Sequence, residues 1–166
     1  MQPRLLDSSE RQEWVLLAYR LPRVPSTPRI AIWRKVRRLG AAQLLDGLVA
    51  LPLDSRTREQ LEWLAQEVGD AGGEASIWIG ELGLASQKRE LAMRMREAVA
   101  GEYRAVIAEA ESLVGEPLGR RRRSLARLRR ELRRIRRRDF FPPAEREHAQ
   151  AAVEQLAATL EEAAAR

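Results

Sequence analysis

Apolar residues follow two patterns along this chain: short continuous segments, and residues that recur every three or four positions. In the first half, four short apolar segments bounded by proline, glycine or aspartate predict β-strands, because strands are short and end at turn residues. Between them, apolar residues recur every three or four positions, which predicts amphipathic helices. The predicted strands are Glu13 to Leu21, two short segments within 41–52 and Glu74 to Leu82, and the predicted helices are Thr27 to about Leu39 and Asp54 or Ser55 to about Val68.

The order strand, helix, strand, strand, helix, strand predicts an α+β domain over residues 13–82 with the split βαβ, or ferredoxin-like, plan. The first strand is apolar on both faces. We therefore expect it to lie centrally, with the second side of the sheet covered by the rest of the chain or by a twin subunit. Asp46 and Gly47 favour a tight hairpin turn with positive φ angles.

Both predicted helices of this domain carry start signals, stop signals and an apolar stripe. We expect Thr27 to cap the first helix, Pro28 to occupy its first position and Gly40 to end it. The predicted buried stripes are Ile30, Trp33, Val36 and Leu39 in the first helix and Leu61, Leu64, Ala65 and Val68 in the second.

The four tryptophans all fall within predicted strands or helices. Trp14, Trp33 and Trp78 are expected in the core, in preference to a base-stacking platform. Trp63 lies off the apolar stripe of its helix, which predicts a place at an interface.

The second half of the chain, residues 83–166, predicts an α-helical extension. Its apolar residues keep a three-to-four step over about 86–114, 120–138 and 143–165, with Gly115, Pro117 and the Pro142-Pro143 pair at the breaks. Since short connections join antiparallel neighbours, the last two helices predict an arginine-rich antiparallel helical hairpin.

The segment from Arg120 to Arg138 contains twelve arginines among nineteen residues and a single carboxylate-bearing glutamate, Glu131. Its apolar residues form one narrow seam on a helix: Leu125, Leu128, Leu132 and Ile135. At 100° per residue, five arginines fall in one row opposite that seam: Arg123, Arg127, Arg130, Arg134 and Arg137. Like charges at this spacing repel, so the row predicts a polyanion-binding surface. The alternative is a solvated charge run balanced by acidic helices around it.

Composition narrows the classes of function. The net charge of +6 points to an anionic partner, with nucleic acid as the first candidate. With no cysteine and one histidine, His148, the chain excludes thiol redox chemistry, zinc clusters and cysteine or histidine nucleophiles built from its own residues. No apolar segment approaches the length of a membrane span, and we expect a cytoplasmic protein with no membrane partner.

Motifs that carry catalysis are missing from the sequence. There is no phosphate-binding glycine loop with lysine, no nucleophile elbow and no cluster of carboxylates, while His148 is expected on the surface. We therefore expect no catalytic residue, no metal site, no cofactor and no enzymatic activity.

A second basic group surrounds the proline-rich link after the first strand. Arg20, Arg23 and Arg29 lie close in sequence to a helix start, where an oxyanion such as chromate could be held. Structural salt bridging is the alternative for these three arginines.

A set of segments carries a family resemblance. They are Trp14 to Leu21, Pro22 to Arg29, Ile32 to Gly40, Asp46 to Pro52, Arg58 to Ala65 and Gly72 to Ala75, joined by the arginine-rich segment that ends in Arg138, Asp139, Phe140 and Phe141. Together they resemble the amino-terminal domain of ChrB, the bacterial chromate-resistance regulator. The resemblance implies a cytoplasmic, DNA-binding, chromate-responsive transcriptional regulator.

Proteins of that family usually carry a second, carboxy-terminal domain, which this sequence does not show. The expected partners are thus DNA, chromate as an effector, a second copy in a homodimer, and a separate ChrB-type carboxy-terminal domain. The alternative function is a protein interaction module whose basic helical extension docks an acidic partner or a separate sensor domain.

Overall fold

A computed structural model describes residues 12–165. The chain divides into two compact units, Met1–Ala92 and Met93–Arg166. The first is a mixed α/β unit and the second is helical. The expected limits of 13–82 and 83–166 remain a prediction.

The elements follow the predicted order. They are β1 (Trp14–Arg20), α1 (Thr27–Leu39), β2 (Ala42–Leu45), β3 (Leu48–Pro52), α2 (Ser55–Asp70), β4 (Glu74–Gly80), α3 (Ala85–Ser112), α4 (Leu118–Arg136) and α5 (Glu145–Ala164). The division between the units falls within α3.

The four strands form one antiparallel sheet in the order β2-β3-β1-β4. β1 is central, as predicted, and its Leu16 lies opposite Ala50 on one side and Trp78 on the other. Val15 and Leu17 are completely buried on one face of β1, and Trp14 is buried on the opposite face. The central place of β1 explains why its apolar residues run without alternation.

α2 packs on β1, β3 and β4 through Leu61, Leu64 and Val68, three members of its predicted stripe. Its start is fixed by a capping box: Asp54 accepts a hydrogen bond from the Thr57 backbone N–H at 2.7 Å, and the Asp54 N–H donates to Thr57 Oγ1 at 2.9 Å. The buried Thr57 hydroxyl also donates to the Pro52 carbonyl at 2.6 Å. The end of β3 and the start of α2 are thereby held together.

α1 differs from its prediction in two respects. Its N-cap is Ser26, one residue earlier than expected, while Gly40 ends it with a left-handed φ of 74° as predicted. Its buried residues are Ile32 and Val36, and Trp33 is 49% exposed. Two apolar stripes are possible on this helix, and packing selects the one through Ile32.

The β2–β3 hairpin forms at the predicted site, but with a different turn. Gly47 has a φ of 74°, and within the described residues only glycines have positive φ, so Asp46 does not. A register shift between Gln43 and Leu45 lets the strands join through one left-handed residue. The Gly47 carbonyl accepts a hydrogen bond from the Tyr19 N–H at 2.7 Å, and a Cβ at Gly47 would lie 2.3 Å from the Tyr19 carbonyl oxygen. Only glycine fits there.

Two tryptophans expected in the core are not in it. Trp14 is buried as predicted, but Trp33 and Trp78 are largely exposed. Trp78 lies on β4, an edge strand, where its indole N–H donates to Ser76 Oγ at 2.9 Å. Trp63, predicted off the stripe of α2, is exposed too.

The second unit has a core built from α3, α4 and α5. Tyr103 of α3, Ile135 of α4 and Ala149 of α5 are completely buried in one apolar cluster. Arg121 near the start of α4 contacts Thr159 near the end of α5, and Arg136 contacts Gln150 at the opposite ends, so these two helices run in opposite directions. Within residues 12–165, no helix is long and apolar enough to cross a membrane.

Candidate functional site

The arginine-rich helix α4 begins immediately after Pro117, following a break at Gly115, whose φ is 89°. All four residues of the predicted seam are buried in the core of the second unit: Leu125, Leu128, Leu132 and Ile135. This burial fixes the rotation of α4 about its axis. The arginines must then lie on the rest of its surface.

One flank of α4 is lined by acids from α3. Arg127 forms an ion pair with Glu109, and Arg138, just after the helix, pairs with Glu102. Within α4, Glu131 pairs with Arg134 and raises the pKa of that guanidinium through the hydrogen bond. These contacts offset the like-charge repulsion along this flank.

The other flank meets uncharged side chains of α5. Arg136 donates to Gln150 Oε1 at 2.6 Å, and Arg121 donates to Thr159 Oγ1 at 3.2 Å. Among the residues that the structure describes, no acid of α5 forms an ion pair with an arginine of α4. The acid nearest the start of α5, Glu145, pairs with Arg104 of α3 at 2.9 Å instead.

Five exposed arginines of α4 therefore have no acidic partner within the described part of the chain. We call them the bare arginine surface: Arg122, Arg123, Arg129, Arg130 and Arg133. At 100° per residue they span an arc of about 120° between the flank facing α5 and the back of the helix. The other residues in this arc before the last turn of α4 are the exposed Gly119 and Ala126.

The predicted row coincides with this surface only in part. Arg123 and Arg130 belong to both, whereas Arg127 and Arg134 are paired with acids. Arg137 follows the end of α4 and has interactions of its own. The row was placed opposite the seam without its neighbours, and two of its members have a carboxylate partner, one on α3 and one on α4 itself.

A buried polar contact lies where the chain turns between α4 and α5. The Tyr103 hydroxyl donates to Asp139 Oδ2 at 2.8 Å, and Arg146 Nη1 lies 3.6 Å from the same oxygen. The Asp139 side chain is fully buried, and burial raises the pKa of both Tyr103 and Asp139. From sequence, Asp139 was named only as part of the family resemblance, and its place between Arg138 and two phenylalanines was the available signal.

Of the three arginines predicted to hold an oxyanion, one has an acidic partner. Arg20, the last residue of β1, donates to Glu74 at 2.8 Å, with both side chains exposed. Arg23 in the link and Arg29 in the first turn of α1 are exposed. The salt bridge of Arg20 corresponds to the structural alternative for that residue.

No group of three or more potential metal-ligating side chains occurs within residues 12–165. His148 lies exposed on α5.

Comparison with known proteins identifies relatives of the first unit and of α3. Residues 29–116 match the family described as Protein ChrB, N-terminal. The chain is also similar to Protein ChrB of Cupriavidus metallidurans, with 34% identity over 89 residues. That alignment covers 54% of this chain and 27% of the relative. The family match ends before α4 begins, so the bare arginine surface lies outside it.

Proposed function

Because this chain belongs to the ChrB amino-terminal family, we propose that it is a DNA-binding transcriptional regulator of chromate resistance. The proposal includes a cytoplasmic location and no enzymatic activity. The bare arginine surface is the observation that carries DNA binding.

The charge of the second unit is concentrated on α4. The first unit has thirteen lysines and arginines against twelve acids, and the second unit has seventeen against twelve. α4 alone has ten arginines and one acid, so the rest of the second unit is net acidic. A cationic helix on an acidic support gives a local positive potential that the net charge understates.

The chemistry of the bare arginine surface suits phosphates. Arginine donates in a planar fork that matches phosphate oxygens. Arg122 and Arg129 are seven residues apart, about 10.5 Å along the helix at 1.5 Å per residue, and Arg123 and Arg130 repeat this spacing. Apart from arginine, the arc contains only Gly119 and Ala126. We infer that it binds DNA through its backbone, with little discrimination between sequences.

The test replaces the five arginines of the bare arginine surface with glutamine. Each lost phosphate contact should reduce the slope of log affinity against log salt by about 0.9, so the slope should flatten by about four to five units. Because all five side chains are exposed, helicity should be retained, as circular dichroism would show. The control, Arg127→Gln with Arg134→Gln, removes two paired arginines of the same helix and should flatten the slope by much less than the roughly 1.8 units expected for two phosphate contacts.

An unchanged slope in the folded five-site variant would mean that these arginines face solvent without contacting DNA. The proposal that α4 binds DNA would then be wrong.

Chromate as the effector is part of the same proposal. Arg23 and Arg29 are the exposed arginines of the predicted oxyanion group, while Arg20 is engaged by Glu74. Arg23→Ala or Arg29→Ala should weaken the effect of chromate on DNA release and leave DNA affinity without chromate nearly intact. Calorimetry that detects no chromate binding to the wild-type protein would assign sensing to another chain or domain.

The finer description of the fold also belongs to this proposal. The β2-β3-β1-β4 order and the antiparallel pairing support the ferredoxin-like plan for the first unit. The opposite directions of α4 and α5 support an arginine-rich antiparallel hairpin.

A second candidate function is a protein interaction module. It is favoured by the exposed edge of β4, where Trp78 is 63% exposed and Ile79 is about half exposed. Apolar side chains on an open edge strand suit a second copy in a homodimer or a separate ChrB-type carboxy-terminal domain. Retention on DNA that falls steeply with salt would support the regulator, and salt-insensitive association through β4 would support the module.

A further inference from the structure

Helix α1 of the first unit carries a second cationic surface, within the residues that match the family. The helix contains five basic residues and no acid. Lys35 is the member that forms an ion pair, with Glu67 of α2. Arg34, Arg37 and Arg38 are exposed and have no acidic partner among residues 12–165.

The three arginines lie on one face of α1. Arg37 and Arg38 follow Arg34 by three and four positions, which places the three within about one helical turn. The ion pair of Lys35 orients its side chain toward α2, and the buried stripe of Ile32 and Val36 faces the core. The arginine face is therefore separate from both contacts of the helix.

Trp33 lies beside these arginines and adds a neutral donor. Its ring is 49% exposed, and the Arg37 guanidinium lies over it, 5.1 Å from the ring centroid. This cation–π contact orients both side chains. The indole N–H has no hydrogen-bond partner within the described residues. An N–H donor without a partner, next to three guanidinium groups that have no acidic partner, is a combination that suits anionic oxygens.

We propose that this face of α1 is a second contact surface for the phosphate backbone of duplex DNA, formed by Trp33, Arg34, Arg37 and Arg38. The charge of the helix identifies the occupant as a polyanion, and this inference rests on the DNA binding proposed above. Arg34, Arg37 and Arg38 each contact a phosphate, and the Trp33 N–H donates to a phosphate oxygen.

The experiment measures binding of the full chain to duplex DNA as a function of salt. The variant Arg34→Gln, Arg37→Gln, Arg38→Gln should flatten the slope of log affinity against log salt by up to about 2.7 units. The matched control, Arg56→Gln, Arg58→Gln, Arg89→Gln, removes the same charge from arginines of the first unit that have other interactions. It should change the slope by less than one third as much.

A second variant tests the indole donor. Trp33→Phe keeps an aromatic ring under Arg37 but removes the N–H, and it should weaken binding about three- to tenfold with little change in the salt slope.

The outcomes separate the inference from the proposed function. If the wild-type chain binds no DNA, the proposed function is wrong and this inference with it. If the wild type binds with a steep slope that both triple variants share, the α1 surface is solvated and the inference is wrong, while DNA binding through α4 stands. A selective effect of the α1 variant, with circular dichroism unchanged, supports the inference.

Discussion

The two flanks of α4 carry the same kind of side chain but meet different neighbours. On the flank facing α3, Arg127 and Arg138 pair with Glu109 and Glu102. On the flank facing α5, arginines contact the uncharged Gln150 and Thr159. The neighbouring helices, more than α4 itself, thus determine which arginines remain available to a ligand.

This asymmetry has a physical consequence for binding. An arginine that already has a carboxylate partner must give it up, or share it, before it contacts a phosphate. An exposed surface pair is worth only about 0 to 1 kcal/mol, so the loss is modest for each residue. Several such losses would nevertheless direct DNA toward the flank without acids, where the five bare arginines lie.

The largest expected effect comes from disrupting the apolar core of the second unit, because burial in that core fixes the rotation of α4 and so the position of its two flanks. Leu128 is 1% exposed in the core of the second unit, so Leu128→Arg would bury a charge without a partner. We expect a loss of about 3–5 kcal/mol in the free energy of unfolding. Ala126→Arg, on the exposed side of α4, adds the same charge and should change stability little.

The four tryptophans make this measurement specific. All of them lie in the first unit, so their fluorescence reports on that unit, while circular dichroism reports mainly on the long helices. Leu128→Arg should reduce helicity far more than it changes tryptophan emission. Equal stability of the Leu128→Arg and Ala126→Arg proteins would contradict the burial of the seam in an apolar core.

The seam of α4 could be predicted from sequence because arginine occupies most of the other positions, so no second apolar face is possible. From Arg120 to Arg136 every other position except Ser124 and Ala126 is charged, so the large apolar residues that can face a core there are Leu125, Leu128, Leu132 and Ile135. α1 allowed two choices, since Ile30 and Trp33 make as good a stripe as Ile32 and Val36. The side chain of Trp33 can remain exposed because Arg37 covers part of its ring, a contact that the stripe pattern did not reveal.

The contacts between elements were beyond prediction for a different reason. Glu109 and Arg127 are distant in sequence, and their pairing depends on how α3 and α4 are offset along their axes. The contact of Tyr103 with Asp139 likewise joins residues 36 positions apart. Local patterns give the rotation of a helix but do not give its offset against a neighbour.

A smaller effect is expected at the turn that ends the acid-lined flank. The Tyr103 hydroxyl donates to the fully buried Asp139, so Tyr103→Phe should cost about 1–3 kcal/mol near pH 8 by removing that donor. Burial, and next the hydrogen bond to Asp139, raise the pKa of Tyr103 above its ordinary value of 10.0. The neutral phenol therefore stabilises the fold below about pH 10, and this stability is lost as the pH rises further.

Denaturant unfolding at about pH 8 and about pH 11 would check this prediction, since tyrosine ionises in this interval. The difference between wild type and Tyr103→Phe should narrow at the higher pH, because the phenylalanine variant has no hydroxyl to ionise at this position. Tyr19→Phe in the first unit should show a narrowing of the same sign, because burial also raises the pKa of Tyr19. A constant difference across the interval would contradict the raised pKa of Tyr103.

The smallest expected effects come from removing the acids themselves, one at a time. Arg127 keeps about half of its side chain exposed, so Glu109→Gln should release it toward DNA and steepen the salt slope by about 0.9. Arg138 is only 13% exposed, so Glu102→Gln should leave the slope nearly unchanged. Glu109→Gln should change stability by no more than about 1 kcal/mol, because Arg127 is largely exposed. Glu102→Gln leaves the largely buried Arg138 without its carboxylate and should cost more than that.

The control for this pair is Glu161→Gln, which removes the same charge from an exposed position of α5 that contacts no arginine of α4. If net charge alone governs binding, the three variants should steepen the slope equally, since each makes the protein more positive by one unit. If the neighbours of α4 decide which arginines are available, only Glu109→Gln should do so. Equal slopes in all three would therefore remove the distinction between the two flanks, because the acids of α3 would then act only through the total charge.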